Sequence, residues 1–279
     1  MSRGHLVVIG AASCEGAFVK RIEIETRDGA CPSNVFRPPS GRPWPAVLVF
    51  MDGLGIRPAM LEIGERLATH GYFVLLPDLF HRSGAYEPMD PHAIFPDPEK
   101  RRMLRERFLA LATPLNVMSD TGAFLDFLAH SPDVKPGRIG TTGYCMGGLM
   151  SLTAAGTYPD RIAATASYHG GRLATDEHDS PHLLAPRIRS RVYIAAATDD
   201  ASFTDEMKTR LEDALTQAGV DHRIETYPAK HGWVFRDTPV YDRAASERHW
   251  ETLLTLLDAK LMRPNESSPL AKNSPPPTS

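Results

Sequence analysis

The chain is short of the features that mark several protein classes. Its 279 residues include three cysteines, Cys14, Cys31 and Cys145. An odd, sparse set with no Cys-x-x-Cys spacing is neither a disulfide framework nor a zinc ligand set. No apolar run approaches the ~20 residues that cross a bilayer. The run LVVI at positions 6–9 is too brief for the apolar core of a secretory signal. Lys and Arg number 31 against 34 Asp and Glu, so the net charge of −3 supplies no general pull towards nucleic acid or an anionic membrane. His81 and His92 stand eleven apart in a proline-rich stretch, which is not the spacing of a helical pair of metal ligands. Together these absences point to a reducing, cytoplasmic setting, with no metal, no nucleic acid and no membrane as partner.

What is present is enough apolar material for a full core, 42% of the chain. Residues 1–16 read as a flexible leader. The stretch PNESSPLAKNSPPPTS at 264–279 has one large apolar residue and cannot offset the entropy of ordering, so it reads as a disordered tail. Between them, residues 17–263 alternate strand and helix. A hairpin is expected over 18–26 and 30–36, turning at Asp28-Gly29. Strands are expected at 46–50, 72–76, 138–142, 162–168, 192–197 and 222–227. Helices are expected at 58–70, 99–112, 115–130, 149–157, 204–218 and 240–261. Residues 81–98, with Pro88, Pro91, Pro96 and Pro98, read as a long loop that shapes substrate access. Strands separated by helices imply an α/β fold, a mostly parallel central sheet with helices on both faces. Ligands of such sheets bind at the carboxyl ends of the strands.

One motif lies at such an end. Gly143-Tyr144-Cys145-Met146-Gly147-Gly148 follows a strand and opens a helix. It has the pattern of a nucleophile elbow, with cysteine where serine is usual. A sharp strand-to-helix turn lifts the side chain above the sheet, and the next backbone N–H faces the reacting carbonyl. A thiol there points to acyl transfer through a thioester. Oxidation of an activated thiol, as in a redox sensor, is the rival use. A dinucleotide loop in LVVIGAASCEG (6–16) is a poor alternative, because it lacks G-x-G-x-x-G spacing.

A thiol of ordinary pKa needs a base, and the base needs an orienting acid. On this scaffold the order is nucleophile, acid, histidine. His231, in the loop after the strand ending at Tyr227, is the best-placed base. His169 also sits at the active edge, before Gly170-Gly171, whereas His222 starts a strand and His249 lies in the last helix. The acid should follow the strand 192–197, where Asp199 and Asp200 both qualify. Oxyanion donors are expected from Met146, after the nucleophile, and from Gly53, after the first central strand.

These segments resemble the dienelactone hydrolase family, the cysteine-using branch of the α/β-hydrolases, over about residues 19–260. GYCMGG is similar to that family's elbow, TDDASF to its acid motif and KHGW to its histidine motif, while HGYFVLLPDLFHR is similar to its next strand. The resemblance favours Asp200 over Asp199. It implies the α/β-hydrolase fold, hydrolysis of a small-molecule ester or lactone through a cysteine thioester, no metal or organic cofactor, and a monomer or homodimer. A general carboxylesterase or thioesterase is the alternative on the same scaffold. The family often places a glutamate after the first central strand to help activate the thiol, and Asp52 occupies that position here. Family arginines hold a substrate carboxylate, and Arg236 is the nearest match, with Arg82 and the group Arg101, Arg102, Arg105 and Arg107 beside the long loop. Trp233, in KHGW, completes the candidate site.

Overall fold

The computed structural model describes residues 10–12 and 17–262; the remainder of the expected leader and the tail lie outside the described residues. The strands are β1 (Gly10–Ala12), β2 (Phe18–Thr26), β3 (Gly29–Arg37), β4 (Ala46–Phe50), β5 (Phe73–Pro77), β6 (Ile139–Tyr144), β7 (Ile162–Tyr168), β8 (Arg191–Ala197) and β9 (His222–Tyr227). Among the described residues they form one nine-stranded sheet in the order β1-β2-β3-β5-β4-β6-β7-β8-β9. The first three strands are antiparallel, and β3 is antiparallel to β5. From β5 onward every pairing is parallel. Three residues of the segment expected as a leader, Gly10–Ala12, thus extend the sheet edge on β2. The central strands β4 to β7 are buried along their whole length, as sheets covered on both faces require.

The helices are α1 (Pro58–Thr69), α2 (Pro91–Ile94), α3 (Pro98–Leu104), α4 (Pro114–His130), α5 (Met146–Thr157), α6 (Asp205–Gln217) and α7 (Arg243–Leu257). α1 and α7 share one face, where Arg66 reaches Glu247 at 3.2 Å and lies over the Trp250 ring. α4 and α5 cover the other, with α6 beyond α5 and joined to it through the 3₁₀ turn Pro181–Arg187. No helix among the described residues is long and apolar enough to cross a membrane.

Three elements depart from the sequence pattern. The helix expected over 99–112 is α3 followed by a widened turn, Arg105–Leu109, closed by Ala110 N–H on the Arg105 carbonyl. That turn sets Phe108 against Phe80 and Tyr86, with ring centroids 5.1 and 5.3 Å away. The last helix starts at Arg243 rather than 240, because Asp242 caps it by accepting from Ala245 N–H at 2.8 Å. The proline-rich access segment contains a 3₁₀ turn, His81–Ser83, and the single-turn α2 capped by Asp90.

Beneath the turn between β6 and α5 the backbone crossings are too close for side chains. A methyl group on Gly143 would fall 1.9 Å from the Gly147 carbonyl oxygen, and one on Gly147 would fall 2.1 Å from that of Phe50. Backbone cannot yield as a flexible side chain can. We expect Gly147→Ala to lower unfolding stability in urea by at least about 2 kcal/mol, whereas Gly137→Ala, which meets nothing within 4 Å but has a φ of 133°, should show only its backbone strain.

Candidate active site

Cys145 closes β6 and caps α5 with φ 53° and ψ −115°. Left-handed φ is uncommon outside glycine, and such strain typically costs ~1–3 kcal/mol. Hydrogen bonds hold the turn: Cys145 N–H donates to the Tyr168 carbonyl at 3.1 Å, and Gly148 N–H to the Cys145 carbonyl at 3.0 Å. The thiol is half-buried above the sheet, between the ends of β6 and β7.

His231 comes to it from the loop after β9. Its Nδ1 lies 2.7 Å from Asp200 Oδ2, and its ring is coupled to the Cys145 side chain by a hydrogen bond and by charge. Burial alone would depress the imidazole. The bonds to Asp200 and Cys145 outweigh it and push the pKa up to about 10. Burial would likewise raise Asp200, but the bonds from His231 and Ser202 bring it down to about 2. Ser202 fixes the carboxylate by donating to Oδ1 from its hydroxyl at 2.7 Å and its N–H at 2.9 Å, leaving Oδ2 for the histidine. Asp199 is exposed in a left-handed turn with φ 51°, and no interaction links it to His231. The structure thus brings Cys145, His231 and Asp200 together.

His169, the other histidine at this edge, is fully buried beside His231, with ring centroids 5.0 Å apart. Burial first, and then the neighbouring His231, hold its pKa well below the usual histidine value, so it stays neutral. Trp233 lies deeper still. It stacks on Tyr227 at 5.3 Å, meets His169 edge-on at 4.8 Å, and is fully buried. It is packing beneath the site rather than a wall of it.

Met146 is the first residue of α5, where N–H groups have no intrahelical acceptor. Gly53 follows β4 in the turn that Gly55 N–H closes on the Asp52 carbonyl. A methyl on Gly53 would meet nothing nearer than Leu109 at 3.5 Å, an ordinary contact. A side chain at this position would thus pack against Leu109 without a clash.

Asp52 is engaged by an arginine. Its carboxylate accepts a fork from Arg57, Nη1 to Oδ1 at 2.7 Å and Nη2 to Oδ2 at 2.9 Å, and it also accepts from Leu54 N–H at 2.9 Å. Arg57 is itself buried, lies over the Phe235 ring, and donates through Nε to Asp237 Oδ2 at 2.6 Å. Arg236 is exposed and lines the groove between α1 and α7 with Arg66 and Trp250, away from Cys145. Arg82 is forked onto Asp120 and also bonds Asp28. Arg101 bonds the Phe95 carbonyl, Arg102 pairs with Glu99, and Arg107 donates to the Ala85 carbonyl. The sequence pattern missed Arg57, Asp237 and Ser202. One signal pointed to the first: an arginine directly before the proline that opens α1 puts a cation where the helix dipole disfavours it. No group of three or more His, Cys, Asp or Glu among the described residues is placed to hold a metal ion.

Comparison with known proteins bears on the family and the fold. Residues 32–261 match the family model described as the dienelactone hydrolase family. A Synechocystis sp. protein provisionally named a carboxymethylenebutenolidase is 26% identical over 224 residues, covering 78% of this chain and 87% of that protein. The carboxymethylenebutenolidase of Pseudomonas putida is 27% identical over 168 residues, 60% of this chain and 67% of that enzyme. A Klebsiella pneumoniae crystal structure, provisionally named a dienelactone hydrolase, superposes with a TM-score of 0.75 at 21% identity, covering 86% of this chain and 98% of that one, and shares the fold.

The charge arrangement is open to direct titration. A folded pKa near 10 against an ordinary 6.5 means that the His231 contacts stabilise the fold fully below about pH 6.5 and cease to do so as pH rises through 10. The Asp200 contribution runs the other way: it is present above the ordinary carboxylate range and is lost as pH falls through about 2. By NMR, His231 should remain protonated well above pH 8 in the native protein, and its midpoint should fall in both Asp200→Asn and Cys145→Ala.

Proposed function

The chain belongs to the dienelactone hydrolase family, and on that premise we propose that it is a hydrolase that cleaves a carboxylic ester or lactone through a thioester on Cys145. The observation that carries the proposal is the placement of one imidazole, bonded to Asp200 through Nδ1 and coupled to the strained elbow thiol.

The reaction starts from the thiolate of Cys145, the nucleophilic form of a cysteine, beside the imidazolium of His231. Asp200 fixes the tautomer and stabilises the imidazolium without taking its proton. The sulfur attacks the ester carbonyl, and the negative charge passes to the carbonyl oxygen. The N–H groups of Met146 and Gly53 receive that oxyanion, and each such donor is typically worth ~3 kcal/mol. Collapse re-forms the carbonyl and breaks the C–O bond, and the leaving oxygen takes the proton from His231. The now neutral imidazole removes a proton from water, which attacks the thioester. A second collapse expels the thiolate and restores the pair. In a lactone the leaving hydroxyl remains tethered to the acid released.

A neutral ester or acyl thioester as substrate is the second reading, and a specific observation favours it. Two arginines with little exposed side chain, Arg57 and Arg82, are each already bonded to two carboxylates, Arg57 to Asp52 and Asp237 and Arg82 to Asp28 and Asp120. A guanidinium engaged in this way has little left for a substrate carboxylate.

The test is a hydrolysis panel of dienelactone, neutral aryl esters and acyl thioesters. Cys145→Ala should abolish turnover of every substrate cleaved, and Cys145→Ser should be much weaker than the native protein. Turnover that survives in Cys145→Ala would remove the mechanism. Asp200→Asn should lower kcat by a factor on the order of 10⁴, with Asp199→Asn close to native. In the native protein, iodoacetamide should label Cys145 well before Cys31, which is buried, with its thiol pushed up to about 12 by desolvation. Equal rates at the two would argue against an activated thiol.

A further inference from the structure

We infer that Arg57 is a positioning residue: it fastens the loop carrying Gly53 to the loop carrying His231, so that oxyanion donor and base face the same carbonyl. The inference rests on the hydrolase reading for its chemistry, but the mechanical link stands on contacts of its own.

The two loops leave the sheet at different strands and have no sequence continuity. One runs from the end of β4 to α1 and holds Asp52 and Gly53. The other runs from β9 to α7 and holds His231 and Asp237. Arg57 spans them with a single side chain. Towards its own loop it forks onto Asp52 at 2.7 and 2.9 Å, and Asp52 also takes Leu54 N–H, so the carboxylate grips both sides of the Gly53 turn. Towards the other loop it donates from Nε to Asp237 Oδ2 at 2.6 Å and from Nη2 to Oδ1 at 3.4 Å. The grip passes on towards the base. Thr238, next to Asp237, donates its hydroxyl to the Gly232 carbonyl at 3.1 Å, and Gly232 adjoins His231. Phe235, in the same loop, lies under the guanidinium, 4.7 Å from its centre.

Three features distinguish this from an incidental ion pair. The Arg57 side chain is 1% exposed, against 31% for Asp237, so its geometry is fixed by packing and is little screened. Arg57 is the capping residue of α1 yet makes no capping bond with its side chain, which is committed to the two carboxylates. The planar guanidinium also offers donors in fixed directions, so the angle between the loops is set along with their separation. Misplacing reacting groups by ~1 Å can cost about 100-fold in rate, so a link of this kind bears on kcat more than on substrate affinity.

Asp237→Ala cuts the link on the histidine side and leaves the buried Arg57–Asp52 pair intact, which favours a folded variant. Two readouts are taken on it: steady-state kinetics with the best ester of the panel, and hydrogen exchange of the amides in 51–57 and 231–242. The expected result is a fall in kcat of about 10- to 100-fold with KM within about threefold, together with faster exchange in both segments, although 51–57 carries no substitution. Faster exchange confined to 231–242, or an unchanged kcat, overturns the inference. Asp237→Asn keeps an oxygen for Nε and should fall between Ala and native in both readouts; an Asn variant no better than Ala also counts against it. If the native protein cleaves nothing on the panel and its Cys145 is no more reactive than Cys31, the hydrolase reading fails, while the exchange result still decides whether the loops are linked.

Discussion

Everything at this site follows from a chain that must pass from strand to helix within a single residue. Cys145 takes a left-handed φ of 53° that a side chain rarely adopts. The surrounding structure leaves it no alternative. β6 is paired on both sides and wholly buried, so its direction is fixed. α5 starts at the next residue and packs against β4, β6 and β7. Gly143 and Gly147 let the two cross at distances that no side chain would permit. Strain at Cys145 is thus supported by the buried centre of the sheet, and its product is a sulfur raised above the carboxyl edge.

The second requirement is charge placed in the correct order. A thiol and an imidazole share one proton, and the environment decides where it rests. Here a carboxylate gripped twice by Ser202 at Oδ1 holds the Nδ1 of the ring through Oδ2, and the thiol is coupled to the same ring. The neutral neighbour His169 and the apolar Trp233 close the inner side and admit no competing charge. The same economy governs the arginines. Arg57 and Arg82 are each bonded to two carboxylates, so both guanidinium groups are engaged within the protein.

Much of this was legible in the sequence, for identifiable reasons. The central strands β4 and β5 announce themselves as apolar runs, and the elbow announces itself by glycine spacing around Cys145. Cys145, Asp200 and His231 fall at strand ends, and the sheet brings strand ends together whatever the loops between them do. Other features depend on contacts that no local pattern encodes. The choice between Asp199 and Asp200 turns on which carboxylate points inward, a matter of one residue's φ. Trp233 belongs to a motif near the histidine, but burial sends it beneath the site. Arg236 is close in sequence to His231, yet the loop turns its side chain onto the α1–α7 groove. Arg57 and Asp237 are 180 residues apart, a pairing visible only once the fold has joined them. The widened turn at Arg105–Leu109 is likewise a packing decision, made where Phe108 meets Phe80 and Tyr86.

The most direct test of the central claim is to trap the acylated protein. A slowly cleaved aryl ester is mixed with the native protein, quenched in acid within one turnover and analysed by intact and peptide mass spectrometry. The account predicts an added mass equal to one acyl group, mapped to the peptide holding Cys145 and released by hydroxylamine at neutral pH, as a thioester should be. Turnover at full rate with the acyl group on another residue, or with no adduct under any quench while Cys145 remains free to alkylation, would contradict it.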